Sequence, residues 1–180
     1  GKIKLLVTAP MHFLPSIQTR YKNLFDIDFI YPSQYSEIKK IIGKYHALIP
    51  DPGAKYRIDN DLLIEANKLQ LIVTPSTGTD HIDLDYAKRK GVEVIFLKGA
   101  NTSATAEYVF ALLFSLYRRV YPAHNSLLQG KWDRVSYIGD NFNEKVFGIV
   151  GLGKIGRHVA KIANGFGMKV VAYDPYLSAS

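Results

Sequence analysis

Three glycines occupy the first, third and sixth places of Gly151-Leu152-Gly153-Lys154-Ile155-Gly156, and this spacing points most directly to chemistry. The segment follows an apolar run, Val146–Val150, and opens a helical pattern from Lys154 to Phe166. A second apolar run, Lys169–Tyr173, ends against Asp174. Each position has a physical task. Gly151 permits the tight turn out of a strand, Gly153 leaves no side chain where a diphosphate must approach the backbone, and Gly156 lets the helix lie close to its sheet. N–H groups around Lys154 and Ile155, orphaned in the first helical turn, supply donors and partial positive charge for that diphosphate. Asp174 is placed to accept from ribose hydroxyls and to repel a 2′-phosphate, so the expected ligand is NAD rather than NADP. A glycine turn in a ligand-free α/β unit is the alternative. The preceding strand, the following helix and the acidic residue on the next strand favour the nucleotide.

Two further segments could do chemistry. Thr74-Pro75-Ser76-Thr77-Gly78-Thr79-Asp80 lies at the carboxyl end of an apolar run, Leu69–Thr74. Ligands of open α/β sheets sit at such ends, and a turn of small residues exposes consecutive N–H groups suited to a carboxylate. An ordinary Ser/Thr/Gly turn would look the same. Asn101-Thr102-Ser103-Ala104-Thr105-Ala106-Glu107 reads as a capped helix start with Asn101 or Thr102 as the cap, and capping alone accounts for it equally well.

The elements that must position these segments follow from hydrophobic periodicity. Short apolar runs at Ile3–Ala9, Phe25–Tyr31, His46–Pro50, Leu69–Thr74 and Val92–Leu97 alternate with helical patterns. Those helices run to about Asn23, from Ser36 to a stop at Gly43, from a cap at Asp59 to Lys68, and over Asp83–Lys90. This rhythm predicts an α/β fold, a parallel flavodoxin-like sheet covered on both faces over residues 1–98. Residues 99–180 are expected to hold the first βαβ unit of a Rossmann domain. Between them, residues 102–120 read as one long helix, apolar on nearly every side: Val109, Phe110, Leu112, Leu113, Phe114, Leu116. A helix of that kind must be buried all round, which predicts a second domain or a partner subunit against it. Residues 121–143 read as a helix tail and a crossing loop.

Composition narrows the function classes. The chain has 180 residues, 47% hydrophobic and 22% charged, with no cysteine. Disorder, a disulfide scaffold and any thiolate metal or iron–sulfur site are thereby excluded. The net charge of +7 is spread along the chain. Its longest basic run, Lys88-Arg89-Lys90, reads as a solvated helix face, so no nucleic-acid partner is expected. The most apolar stretch, Ala104–Tyr117, contains Glu107 and is too short to cross a bilayer. Without a targeting signal, the expectation is a soluble, cytoplasmic protein with neither metal nor membrane partner.

Taken together, the motifs resemble those of the D-isomer-specific 2-hydroxyacid dehydrogenases, including the phosphoglycerate dehydrogenase and glyoxylate/hydroxypyruvate reductase branches. The matching residues are Ser76–Leu84, Lys90-Gly91-Val92, Asn101 with Ala104-Thr105-Ala106-Glu107, Gly130-Lys131-Trp132, Gly148–Arg157, Phe166–Val170 and Tyr173-Asp174-Pro175. The resemblance implies an NAD-dependent oxidoreductase that moves a hydride between NAD(H) and C2 of a small 2-hydroxy or 2-keto acid. Ser76, Thr77 and Gly78 would form the substrate site, with the Thr77 and Gly78 N–H groups on the carboxylate. Thr77 and Thr105 would lie near the nicotinamide. Gly151, Gly153, Lys154, Ile155 and Gly156 would hold the diphosphate, Arg157 would add charge beside it (a solvent-facing arginine is the equal alternative), and Asp174 would hold the ribose. The family also implies a homodimer through helix 102–120. An NAD-sensing binding module of the same fold, like the related corepressors, is the competing expectation.

The chain departs from that family in three respects. The resemblance implies a catalytic Arg, Glu and His downstream of Tyr173-Asp174-Pro175, and the chain ends at Ser180. The expectation is therefore an N-terminal portion of a longer enzyme, with no catalytic residue here and no turnover alone. None of His12, His46, His81, His124 or His158 fills the role: His12 and His124 read as loop residues, His46 as the start of a buried strand, and His158 as facing out of a helix. In the loop after the third strand, Asp51 stands where the phosphoglycerate enzymes carry an arginine, which should repel phosphate, with Lys55 and Arg57 as nearby cations. Ala104 stands where the family often has serine.

Overall fold

The computed structural model describes residues 1–11 and 15–177. His12 lies outside the described residues. The chain forms two compact units, Gly1–Ala100 and Asn101–Ser180.

In the first unit, strands and helices alternate: β1 (Ile3–Val7), α1 (Pro15–Tyr21), β2 (Phe25–Phe29), α2 (Tyr35–Ile41), β3 (Ala47–Ile49), α3 (Asn60–Glu65), β4 (Leu71–Thr74), α4 (Leu84–Arg89) and β5 (Glu93–Phe96). All strand pairs are parallel, in the order β2-β1-β3-β4-β5. That is the flavodoxin order. The unbroken apolar runs are explained by use of both sheet faces. Leu6 of β1 packs with Ile38, Leu48, Leu62 and Ile72 on one face, while Leu5 and Val7 pack with Ala9 and Ala47 on the other. Cover on both faces does not extend to β5, where Ile95 and Phe96 are 42% and 40% exposed.

Helix starts follow their caps. Asp59 accepts from Leu62 N at 3.0 Å, and Asp83 from Tyr86 N at 2.9 Å. Asp83 is thus the cap of α4 rather than its first residue, and α3 ends at Glu65, short of Lys68. Gly43 is not the helix stop that the sequence suggests. It sits inside a 3-10 turn, Ile42–Lys44, that continues α2. A Cβ there would lie 2.7 Å from the Glu65 carbonyl oxygen, so close approach of α3 explains the glycine.

The second unit comprises α5 (Thr102–Tyr117), α6 (Val120–Leu128), β6 (Val146–Val150), α7 (Lys154–Gly165) and β7 (Lys169–Tyr173). β6 and β7 pair in parallel from Val146↔Lys169 to Val150↔Tyr173. Ala106 and Phe110 of α5 share a core with Ile149, Val159, Ala163 and Met168.

The long helix expected over 102–120 ends at Tyr117, and a second helix begins at Val120. Arg119 takes a left-handed conformation (φ 51°) at the joint. The Tyr117 carbonyl accepts from Asp140 N at 3.2 Å, and Pro122, which has no N–H, could not bond the Arg118 carbonyl in a continuous helix. In the first turn of α6 that missing donor costs nothing. His124 consequently lies within α6, not in a loop. Within the chain one side of α5 is left open: Tyr108, Leu112 and Leu116, four residues apart, are 64%, 54% and 73% exposed.

Candidate functional site

The turn between β6 and α7 is built as its glycine spacing requires. Gly151 has φ +93°, open to glycine and strained for other residues. A Cβ on Gly156 would overlap the Gly151 carbonyl oxygen, and so the helix could not start this close to the strand. Gly153 is the N-cap of α7 at φ −70°, and a Cβ there would meet nothing within 4 Å. Protein packing therefore does not demand glycine at 153. A ligand approaching the backbone would.

The residue between the two glycines is clamped from both sides. Leu152 N donates to Asp174 Oδ2 at 2.7 Å, and the Leu152 carbonyl accepts from Arg157 Nε at 2.9 Å. Asp174 Oδ1 also accepts from Tyr176 N at 2.9 Å. These N–H groups of Tyr176 and Leu152, with Arg157 nearby, hold the Asp174 carboxyl below the usual range, so it stays ionised. A carboxylate has about four lone-pair sites, and two amides leave room for ribose hydroxyls. Lys154 and Ile155 begin α7, with exposed side chains and backbone N–H groups in its first turn. An open glycine cap, first-turn amides and an ionised acceptor on the neighbouring strand fit a dinucleotide.

The turn after β4 is organised around buried polar groups. Thr74 is fully buried, and His81 is buried beside it. His81 Nε2 lies 2.8 Å from Thr74 Oγ1, which lies 2.8 Å from Ser76 Oγ. Ser76 Oγ donates to the Gly78 carbonyl at 2.7 Å. Leu97 N donates to the Ser76 carbonyl at 3.0 Å, and Thr77 Oγ1 donates to the Leu97 carbonyl at 3.1 Å. Ser76, Thr77 and Gly78 thus share one turn, with the Ser76 hydroxyl directed inward. Burial lowers the His81 pKa, opposed by Asp80 and Asp51. Lys55, Arg57, Asp80 and His81 border one open cavity of about 650 Å³, within the range that takes small ligands. Sequence reasoning missed the roles of Thr74 and His81; the available signal was a polar residue closing an otherwise apolar strand.

The remaining candidates are placed as follows. Thr105 is half-buried in the first turn of α5, its N–H on the Asn101 carbonyl at 2.9 Å. Asn101 is the N-cap position but makes no side-chain cap bond; instead Ser103 Oγ donates to Glu107 at 2.8 Å. Asp51 Oδ1 accepts from Gly53 N at 2.9 Å, turned back on its own loop. His46 Nδ1 accepts from Lys4 N at 3.0 Å. Among the described residues, no group of His, Asp or Glu could hold a metal, and no helix is long and apolar enough to cross a membrane.

Comparison with known proteins bears on both units. Residues 110–180 match the family model "D-isomer specific 2-hydroxyacid dehydrogenase, NAD binding domain". The D-3-phosphoglycerate dehydrogenase of Archaeoglobus fulgidus is 31% identical over 176 residues, 98% of this chain and 33% of that protein. That of Bacillus subtilis (strain 168) is 38% identical over 157 residues, 86% of this chain and 30% of that protein. D-Lactate dehydrogenase from Aquifex aeolicus, solved with NAD and lactic acid, superposes with a TM-score of 0.81 at 28% identity, covering 97% of this chain and 52% of that one. The chain thus spans about a third of these curated relatives' length and about half of the solved chain. With a flavodoxin-order sheet, a glycine cradle that suits NAD and relatives that align over 86–98% of it, the chain belongs to the D-isomer-specific 2-hydroxyacid dehydrogenase family.

Proposed function

We propose that this chain supplies the carboxylate-holding turn and the NAD cradle of an oxidoreductase acting at C2 of D-2-hydroxy and 2-keto acids. NAD, when bound, accepts or donates the hydride. In this reading the N–H groups of Thr77 and Gly78 hold the acid's carboxylate, and Thr105 borders the nicotinamide. The first-turn amides at Lys154 and Ile155 hold the diphosphate across Gly153. Asp174 accepts from the ribose while bracing Leu152, and Arg157 braces the same residue from its carbonyl side. No residue of this chain is assigned as the general acid/base. The exposed apolar stripe of Tyr108, Leu112 and Leu116 is the surface through which two copies would pair.

The observation that carries this reading is the contrast between two glycines of one motif. Gly156 is demanded by the protein's own backbone, whereas Gly153 faces open space at a helix cap, where a bound diphosphate would lie. The test is to supply NADH with glyoxylate, hydroxypyruvate or pyruvate while measuring NADH binding in parallel. NADH binding without oxidation is expected of this 180-residue chain. Robust oxidation would show that an acid/base lies within it and would contradict the assignment of roles.

A further inference from the structure

The contacts among His81, Thr74, Ser76 and Gly78 have only one consistent direction. A carbonyl oxygen can only accept, so Ser76 spends its single hydroxyl proton on Gly78. Ser76 must then accept from Thr74 across their 2.8 Å contact. Thr74, its own proton spent, must accept from His81 Nε2 at 2.8 Å. The neutral His81 ring therefore carries its proton on Nε2, and the wire runs from His81 through Thr74 and Ser76 to the Gly78 carbonyl.

We propose that His81, acting through Thr74 and Ser76, is a positioning residue that sets the peptide planes of the Ser76–Thr79 turn for binding a substrate carboxylate. The proposal rests on the carboxylate reading of that turn given above. The Ser76 carbonyl is pinned by Leu97 N and the Gly78 carbonyl by the wire, while the Thr79 carbonyl at the end of the turn accepts from Ile82 N at 2.9 Å. In a trans peptide the C=O and N–H point to opposite sides. Each pinned carbonyl therefore turns the following N–H, of Thr77 and of Thr79, away from its anchor. The Thr77–Gly78 peptide is held between them. The wire begins among buried groups, Thr74 at 0% and His81 at 8% exposure, where an unpaired polar atom is costly. A break at the buried His81–Thr74 link would thus be relieved by rotating the turn.

The test uses the ¹⁵N-labelled chain. Long-range ¹H–¹⁵N spectra should show His81 protonated at Nε2 and bare at Nδ1 when neutral. Titration with pyruvate should move the Thr77, Gly78 and Thr79 amides. Ser76→Ala and His81→Leu should each weaken pyruvate about fivefold, the loss expected for one hydrogen bond. His81→Gln, which keeps a donor at similar reach, should recover most of that loss. A neutral ring protonated at Nδ1 would overturn the proposal, as would wild-type pyruvate affinity in Ser76→Ala or in folded His81→Leu. If His81→Leu does not fold, Ser76→Ala and the ring spectrum decide. If pyruvate moves none of these amides in the wild type, the carboxylate reading fails. The wire is then judged by the tautomer and by the Thr79 amide, which must shift in ligand-free Ser76→Ala.

Discussion

Gly153 and Gly156 share a motif but answer to different constraints, and mutation should separate them. Gly156→Ala drives a methyl group into the Gly151 carbonyl and should cost about 1–3 kcal/mol of stability, read from the urea midpoint. At Gly153 an added Cβ meets no protein atom within 4 Å, and Gly153→Val should cost less than about 1 kcal/mol, the loss of a modest helix cap. At His81 the prediction concerns pH. Burial holds its folded pKa below the unfolded 6.5, while Asp80 and Asp51 oppose and Arg57 assists. The unfolded chain then binds the extra proton more readily, so the full stability is present above about pH 6.5 and is lost as pH falls below it. His81→Gln should flatten that part of the pH dependence of the urea midpoint; an unchanged slope would count against a neutral buried ring. At this scale the glycine spacing was legible because backbone conformation and close approach leave glycine few substitutes. The direction of the Ser76 hydroxyl was not, since it depends on Thr74 and Gly78 closing around it.

Among elements, strands were the most readable, because unbroken runs of Ile, Val and Leu are what a sheet buried on both faces requires. β6 and β7 fall on Val146–Val150 and Lys169–Tyr173 as the periodicity predicts. The joint between α5 and α6 was harder to see. Pro122 was visible, but the Asp140 N–H that takes the Tyr117 carbonyl comes from a loop more than twenty residues downstream. The apolar character of α5 was legible, yet which side stays open depends on where α7 packs. Tyr108, Leu112 and Leu116 form the exposed side, and a partner copy seated there predicts a dimer in sedimentation velocity. Replacing Leu112 and Leu116 together by Asp should give a monomer with an unchanged circular dichroism spectrum. Dimers of undiminished affinity in that variant would assign pairing to another surface.

At the level of the whole molecule, a flavodoxin-order sheet is followed by a strand–helix–strand unit carrying the proposed nucleotide cradle, each with its own core. One polar feature organises each site. In the first unit it is the wire from buried His81 to the Gly78 carbonyl of the Ser76–Thr79 turn, and in the second it is Leu152 held between Asp174 and Arg157. Both braces act on backbone amides, which is where an anion would be gripped. In the proposed function the Gly151–Gly156 turn grips the diphosphate of NAD. Calorimetric titration of NAD into the chain and into Gly153→Val tests it most directly. One site is expected in the wild type and no detectable binding in a folded Gly153→Val variant. Equal heats from both proteins, or none from the wild type, would contradict it.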